Sequence, residues 1–507
     1  MSAYAQPVSA EQSSVVAGFD RSRHLVESLI TWLDDPSTGG LSHGELEEQL
    51  DGRGRELLRQ LYQDHLDLRA VREERLLEVT GADGVARTRV ERGQRRTLGT
   101  VFGEVTVSRM AYRAAGVTNL YPSDAALNLP AGKHSHGLRR LAAVEAVRGS
   151  FADAAAAIAR SSEVGIGKRQ LEALAQAAAV DVAGFYAVRK PDPAGADMLL
   201  ALTFDGKGVV MRPEGLREAT AKAAATATRK LATRLSPGEK NGRKRMAELA
   251  CVYDAAPAPR TPADVIGKPG RGGERARGPV ATGKWLTASV TDDIATVIAA
   301  AFDEAERRDP DHQRTWVVLV DGNCTQIDAI TTEARRRKAD VHIVLDLIHV
   351  LEYLWKAAWS FFDKADPDAE TWVADQARKV LDGKASQVAA GIRRRATRYG
   401  YSPAERAGAD AAADYLTNKA PYLDYATALA RGWPIATGVI EGACRHLIKD
   451  RMDITGARWG LTGAEAILTL RAVVTNGDFD DYWRYHLEQE QRRVHHTRYQ
   501  RDQTPAA

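Results

Sequence analysis

The stretch Thr315-Trp-Val-Val-Leu-Val-Asp321-Gly-Asn323, followed by Cys324 to Lys338 and then Val341-His-Ile-Val-Leu-Asp346-Leu-Ile-His349, decides how the rest of the chain is read. The first run is short, apolar and rich in β-branched residues, which reads as a buried strand. The middle segment is polar, with Ile327, Ile330 and Ala334 at helical spacing. The third run is β-branched again. Strand, helix and strand in succession make a βαβ unit, with parallel strands and a right-handed crossover. Both strands end in an aspartate, and ligand sites in such sheets lie at the carboxyl ends of strands. Such an acid also serves as a turn former or helix cap. Asp346 is expected to cap a helix from Leu347 to Phe362. Asp321 alone reads as a turn, so a catalytic role needs partner acids elsewhere.

Upstream, Met198 to Met211 carries two apolar runs around Asp205-Gly206. Asp-Gly between apolar runs is a hairpin signal. A strand that ends in Asp and then turns also suits a metal carboxylate. Met246 to Tyr253 and Trp285 to Val290 read as two more strands, and Thr291 to Arg307 as a helix. Three strands joined by hairpin-like links and followed by βαβ is the order of an RNase H-like mixed sheet. In that fold the first and fourth strands each bring an acid to one site, here Asp205 and Asp321. Residues 366–432 read as an all-helical insertion. The chain then returns through Thr437-Gly-Val-Ile-Glu441 into a helix with a basic face of Arg445, Lys449 and Arg451. Glu441 in its first turn either complements the helix dipole or supplies a third carboxylate.

The outer segments organise around this core. Residues 1–20 read as a disordered tail and 21–95 as a helical region, with a charged helix from Gly44 to Glu78. Residues 96–135 hold a β-ribbon turning at Phe102-Gly103-Glu104. Its Arg109, Tyr112 and Arg113 either touch DNA or guard a solvated edge. Residues 136–192 read as a helix-turn-helix or a plain three-helix bundle, with Lys168 and Arg169 opening the third helix, which should run to Tyr186. The catalytic core takes 196–365 and 433–475. A basic loop covers 212–245, Pro257 to Gly283 reads as mobile, and 476–507 form a docking helix and a loose tail.

Length and composition set limits. The chain has 507 residues and a net charge of +3, so nucleic-acid binding must be argued from local patches. Three cysteines, Cys251, Cys324 and Cys444, form no CxxC pair, which argues against a disulfide framework or a structural zinc site. The N-terminus lacks signal-peptide character, and no stretch reads as long enough to span a membrane. A cytoplasmic, nucleoid-associated location is expected.

Three carboxylates can hold two divalent cations about 3.5–4 Å apart. Hard oxygen ligands suit Mg²⁺ or Mn²⁺ rather than zinc. His349, three residues after Asp346, either orients a carboxylate or phosphate or is a buried structural histidine.

From Asp205 onward the chain resembles bacterial insertion-sequence transposases of the ISKra group, which carry a DDE site. The resemblance rests on Leu202-Thr-Phe-Asp-Gly-Lys-Gly-Val209, Lys244-Arg-Met-Ala-Glu-Leu-Ala-Cys-Val-Tyr-Asp254, Leu319-Val-Asp-Gly322, Val344-Leu-Asp-Leu-Ile-His-Val-Leu-Glu-Tyr-Leu-Trp355, Thr437-Gly-Val-Ile-Glu-Gly-Ala-Cys-Arg-His-Leu-Ile-Lys-Asp-Arg-Met452 and Thr455-Gly-Ala-Arg-Trp459. It implies a DNA cut-and-join enzyme that binds the terminal inverted repeats of its element. The family's first Asp falls on Asp205 and its Glu on Glu441. Asp321 is taken as the middle acid, with Asp346 and His349 auxiliary and Asp346 the alternative. Two Mg²⁺ (or Mn²⁺) ions are expected, held by Asp205, Asp321 and Glu441. Arg445, Lys449, Arg451, Arg458, Lys168 and Arg169 are the expected DNA contacts. A homodimer or larger assembly is expected, because two DNA ends must be paired. A non-catalytic DNA-binding derivative and a structure-selective nuclease are the alternatives.

Overall fold

The computed structural model describes residues 18–226, 231, 242–267, 275–454 and 456–500. The expected disordered tail up to residue 17, the basic residues Arg229, Lys230, Arg234 and Lys240, the Pro/Gly/Arg-rich stretch at 268–274 and Thr455 lie outside the described residues. The chain divides into two compact units. One comprises residues 1–181 and 480–507, the other 182–479.

The second unit is mixed α/β. Its sheet contains β5 (Leu199–Val210), β6 (Lys244–Ala255), β7 (Ala281–Ser289), β8 (Trp316–Val320) and β9 (Val341–Leu345), in the order β7-β6-β5-β8-β9. Strands β5, β6 and β7 are antiparallel neighbours, whereas β8 runs parallel to β5 and β9 parallel to β8. Every residue of β8 is buried, as its unbroken apolar run demands of an interior parallel strand. The helix Cys324–Arg337 links β8 to β9 and buries Ile327, Ile330 and Ala334, the residues at helical spacing. The helix Ile294–Arg308 is capped by Asp293, which accepts the Thr296 N–H.

The Asp-Gly signal in the first strand misleads. Asp205 and Gly206 lie inside β5, paired with Leu249 and Glu248 of β6 in an unbroken register that continues to Val210. Twelve residues of antiparallel pairing outweigh the local turn preference of one dipeptide. Asp205 therefore does not end its strand. The parallel partner ends instead: the β5–β8 ladder closes at Thr203↔Leu319, so Asp205 sits where β8 leaves it.

The stretch expected as an all-helical insertion holds the helices Pro367–Leu381, Ala385–Arg398, Ala407–Asn418 and Tyr425–Ala430. The basic segment after β5 is only partly a loop. It holds a short helix, Glu218–Thr226, in which Lys222 pairs with Glu218. Arg245 is turned inward and donates to the Gly215, Val290 and Thr291 carbonyls. Part of the segment expected to be mobile is fastened, because Ala258 and Arg260 donate backbone N–H groups to Gly432 and Leu429.

The first unit starts with the helices Asp20–Asp34 and His43–Arg72, the latter opened by a Ser42/Glu45 capping box. Buried Asp64 ties them by accepting from the Ser22 N–H and hydroxyl. The short strands β1 (Val79–Thr80) and β2 (Ala86–Arg87) precede a ribbon of β3 (Arg89–Thr100) and β4 (Gly103–Arg113). The ribbon thus begins seven residues before the expected Arg96. Three helices follow, His136–Arg148, Phe151–Ser162 and Lys168–Ala179, around a core of Leu138, Ala142, Ala154, Ile158 and Leu171.

The expected helix from Lys168 to Tyr186 breaks at Val180-Asp181. By length and composition Lys168–Val188 passes as a membrane span, which corrects the expectation that no stretch is long enough. Its helix is interrupted, however, and Leu171, Ala175 and Ala178 are buried in the protein. The C-terminal residues are less loose than expected. Tyr499 is buried, Gln500 donates to the Thr80 carbonyl, and Arg498 accepts from the Ala82 N–H. The helix there docks as expected: His486 is buried against Asp181 at 2.6 Å, and Glu490 pairs with Arg139 at 2.8 Å.

Candidate functional site

The candidate site lies where β8 and β9 end and β5 runs on past them. Extending the β5–β8 register two residues sets Asp205 opposite Asp321, and extending β8–β9 one residue sets Asp321 opposite Asp346. On that register the three acids fall at one level along the sheet. The Asp346 N–H donates to the Val320 carbonyl at 2.8 Å, which shows that the parallel ladder reaches it.

The three are not equivalent. Asp205 and Asp321 are partly exposed, whereas Asp346 is fully buried. Asp346 Oδ1 accepts the N–H groups of Ile348 (3.2 Å) and Thr437 (3.1 Å), and its Oδ2 pairs with His349 Nδ1 at 2.9 Å. It is the expected cap of the helix Leu347–Ala358, which stops four residues short of Phe362. It also clamps the segment that leads to Glu441. Asp321 accepts only the Asn323 N–H among the described side-chain hydrogen bonds, and Tyr415 donates to its main-chain carbonyl at 3.3 Å. Gly322 follows at φ +98°, and a Cβ there would come within 3.2 Å of Leu345 and the Tyr415 hydroxyl. A larger residue would therefore displace the turn that carries Asp321.

Glu441 is exposed in the first turn of the short helix Gly438–Ala443, which packs on β5 and β6. Thr437 donates to its Oε1 at 3.4 Å. The expected continuous helix then widens into a π-helical turn, Cys444–Lys449, a feature frequent at functional sites. The turn aims Cys444 at the sheet. Its Sγ donates to Asp205 Oδ2 at 3.0 Å. Burial pushes this thiol up, and the bond to Asp205 and the charges of Asp205 and Glu441 push it further. One sulfur thus senses both carboxylates. Glu248, opposite Gly206 on β6, is also pushed up, first by burial and also by the nearby charge of Asp205.

Cys444, Glu248 and Tyr415 went unrecognised in the sequence. Cys444 was findable, because it stands three residues after Glu441 on a helical face. Glu248 and Tyr415 come from a neighbouring strand and a distant helix, with no local spacing to flag them.

His349 is half-exposed. Burial opposes its charge, but the bond to Asp346 and the charges of Asp346, Asp321 and Glu352 outweigh this and raise its pKa. A raised folded pKa means that its stabilisation is fully present below the unfolded value, near 6.5, and is lost as pH rises through the folded value. The stability difference between wild type and His349→Gln, measured by urea denaturation across pH, should be largest in acid and shrink toward alkaline pH. A difference that grows toward alkaline pH contradicts the pairing.

The expected DNA contacts divide. Arg445, Lys449 and Arg458 are exposed, as are Lys168 and Arg169 in the first unit. Arg451 is not: it is buried, with its guanidinium 4.8 Å above the Trp459 ring. The ribbon residues change role as well. Tyr112 is buried, Arg109 pairs with Asp124 at 2.8 Å, and Arg113 pairs with Glu91. Partner acids and packing, invisible to a local reading, withdraw Arg451, Tyr112 and Arg109 from solvent, whereas Arg113 stays exposed.

Among the described residues, no three of His, Cys, Asp and Glu are drawn into a ready-made metal cage. The donor chemistry of Asp205, Asp321 and Glu441 nevertheless fits a hard divalent cation, because all three are carboxylates with solvent access. No protein-family model matches the chain, and no curated protein matches it.

Proposed function

We propose that this chain is a DDE-type transposase whose second unit is an RNase H-like catalytic domain. It would bind the terminal inverted repeats of an insertion sequence, hydrolyse the phosphodiester at the element end with water, and use the freed 3′-hydroxyl to attack a target phosphodiester, displacing the target strand's 3′-oxygen. The observation that carries the reading is the sheet order β7-β6-β5-β8-β9, with Asp205 and Asp321 on adjacent parallel strands and Glu441 returned to them by a helix after the helical insertion. Any one acid has an ordinary structural explanation. Three at the carboxyl end of a parallel pair are hard to explain by turns and caps alone.

Asp205, Asp321 and Glu441 would hold Mg²⁺ or Mn²⁺. When bound, the two ions activate the attacking oxygen and neutralise charge on the leaving one. The protein's own contribution is positional. Asp346 anchors β9, the helix after it and the Thr437 turn, so that two of the acids sit on a common frame. Its bond to His349 raises the pKa of that imidazole and holds the ring near the charge of Asp321, where it could approach a phosphate oxygen. Arg445, Lys449 and Arg458 supply exposed positive charge near Glu441 in sequence for the DNA backbone.

Purified protein should nick DNA carrying the ends of its own element in Mg²⁺ and yield joined product with a target duplex. Binding without cleavage in either Mg²⁺ or Mn²⁺ would overturn the proposal. Removing Arg445 or Lys449 should weaken DNA binding and lower the salt dependence by about one unit of slope each. Arg451→Ala should instead lower stability by about 1–3 kcal/mol through lost packing on Trp459. Fluorescence anisotropy against salt and urea denaturation separate the two effects.

A further inference from the structure

The first unit contains a pocket of about 220 Å³ that the proposed catalysis does not use. Its walls include Arg96 on β3, Arg109 on β4, Tyr121 and Asp124 at the helix Pro122–Ala126, the segment after that helix at Pro130, and His495, Arg498 and Tyr499 from the C-terminal segment. The charges do not balance. Three guanidinium groups face one carboxylate. Asp124 lies 2.8 Å from Arg109 and 3.9 Å from Arg96, and its own side chain is 11% exposed. Glu73, whose charge also reaches Arg109, accepts the Met110 N–H and does not line the pocket. His495 adds no compensation. Its Nε2 is bonded to the Leu129 carbonyl at 2.8 Å, and burial, with the charges of Arg498 and Arg96 nearby, lowers its pKa.

The arginines are held in place. Arg96 donates to the carbonyls of Pro130 and Gly132, and Arg109 stacks 4.4 Å over Tyr121. Arg498 is exposed at the rim, on a segment fixed to β1 through Gln500 and Thr80. Like charges confined in a half-buried space repel, and an anion at the centre would relieve that repulsion. The volume is below the usual range for drug-sized ligands. It holds a few waters of about 30 Å³ each, which suits a single tetrahedral oxyanion. Guanidinium forks match phosphate oxygens in pairs.

We propose that this pocket binds one phosphate group, gripped by Arg96 and Arg109 inside and Arg498 at the mouth. The group can belong to a free phosphate or to the terminal phosphate of a DNA strand. The inference does not rest on the catalytic reading.

The test is calorimetric titration of the full chain with inorganic phosphate against chloride at matched ionic strength. A second arm uses a short oligonucleotide with a 5′-phosphate or a 5′-hydroxyl. One saturable phosphate site per chain is expected, weakened about ten- to a hundredfold in Arg498→Gln and at least as much in Arg96→Gln. Arg492→Gln, an exposed change on the C-terminal helix outside the pocket, should bind as wild type does. If only inorganic phosphate responds to Arg498→Gln, the source is free phosphate. If the 5′-phosphate strand binds more tightly than the 5′-hydroxyl strand and loses that advantage in Arg498→Gln, it is a nucleic-acid end. No saturable binding in either arm, or binding that Arg498→Gln and Arg492→Gln affect equally, overturns the proposal. Arg498 is exposed near the chain end, so its replacement keeps the test valid even if Arg96→Gln does not fold.

Discussion

Asp205→Asn, Asp321→Asn and Glu441→Gln should each abolish cleavage of the element end while leaving DNA binding intact. Each change keeps the size of the side chain and removes a negative oxygen donor. Loss of such a donor removes several kcal/mol of transition-state stabilisation, on the order of 10³-fold or more in rate. Binding should hold or tighten slightly, since a carboxylate that repels phosphate is gone. Stability should change little, because Asp205 and Asp321 are partly exposed and Glu441 is exposed. Gel assays of nicking and strand transfer beside anisotropy on the same DNA give both readouts. Full cleavage by Asp205→Asn would end the assignment of this acid, and with it the three-carboxylate site.

Asp346→Ala should behave differently, losing stability first and activity as a consequence. The carboxylate is buried and engages two backbone N–H groups and one imidazole. Removing it strands these donors and uncaps the helix Leu347–Ala358, at a cost of about 2–4 kcal/mol. Asp346→Asn should be milder. Its amide oxygen still accepts from Ile348 and Thr437, and its NH₂ can donate to a neutral His349. The midpoint of urea unfolding at constant slope measures both variants. If Asp346→Asn keeps wild-type stability and is catalytically dead while Asp321→Asn cuts, the middle acid is Asp346.

The contrast between these two aspartates shows what a local reading can reach. Both end apolar β-branched runs and look alike in sequence. Their separation into an accessible carboxylate and a buried clamp depends on Thr437, far along the chain, folding back to donate to Asp346. Arg451 and Arg109 carry the same lesson for charge. Each sits in a stretch that reads as basic and available, and each is withdrawn by a partner, Trp459 or Asp124. Asp205-Gly206 carries it for backbone. A strong turn dipeptide is held straight by pairing along the whole of β6.

The strands of the central sheet, the capping role of Asp346 and the helices between residues 367 and 430 were legible from residue order. Hydrophobic period, β-branching and cap chemistry are properties of neighbours in the chain, and these elements follow from them. Sheet order, the row of acids across β5, β8 and β9, the Cys444 contact to Asp205 and the positive pocket of the first unit arise only when distant segments meet. Their energies come from hydrogen-bond pairing, burial and uncompensated charge between residues remote in sequence, so no window along the chain contains them.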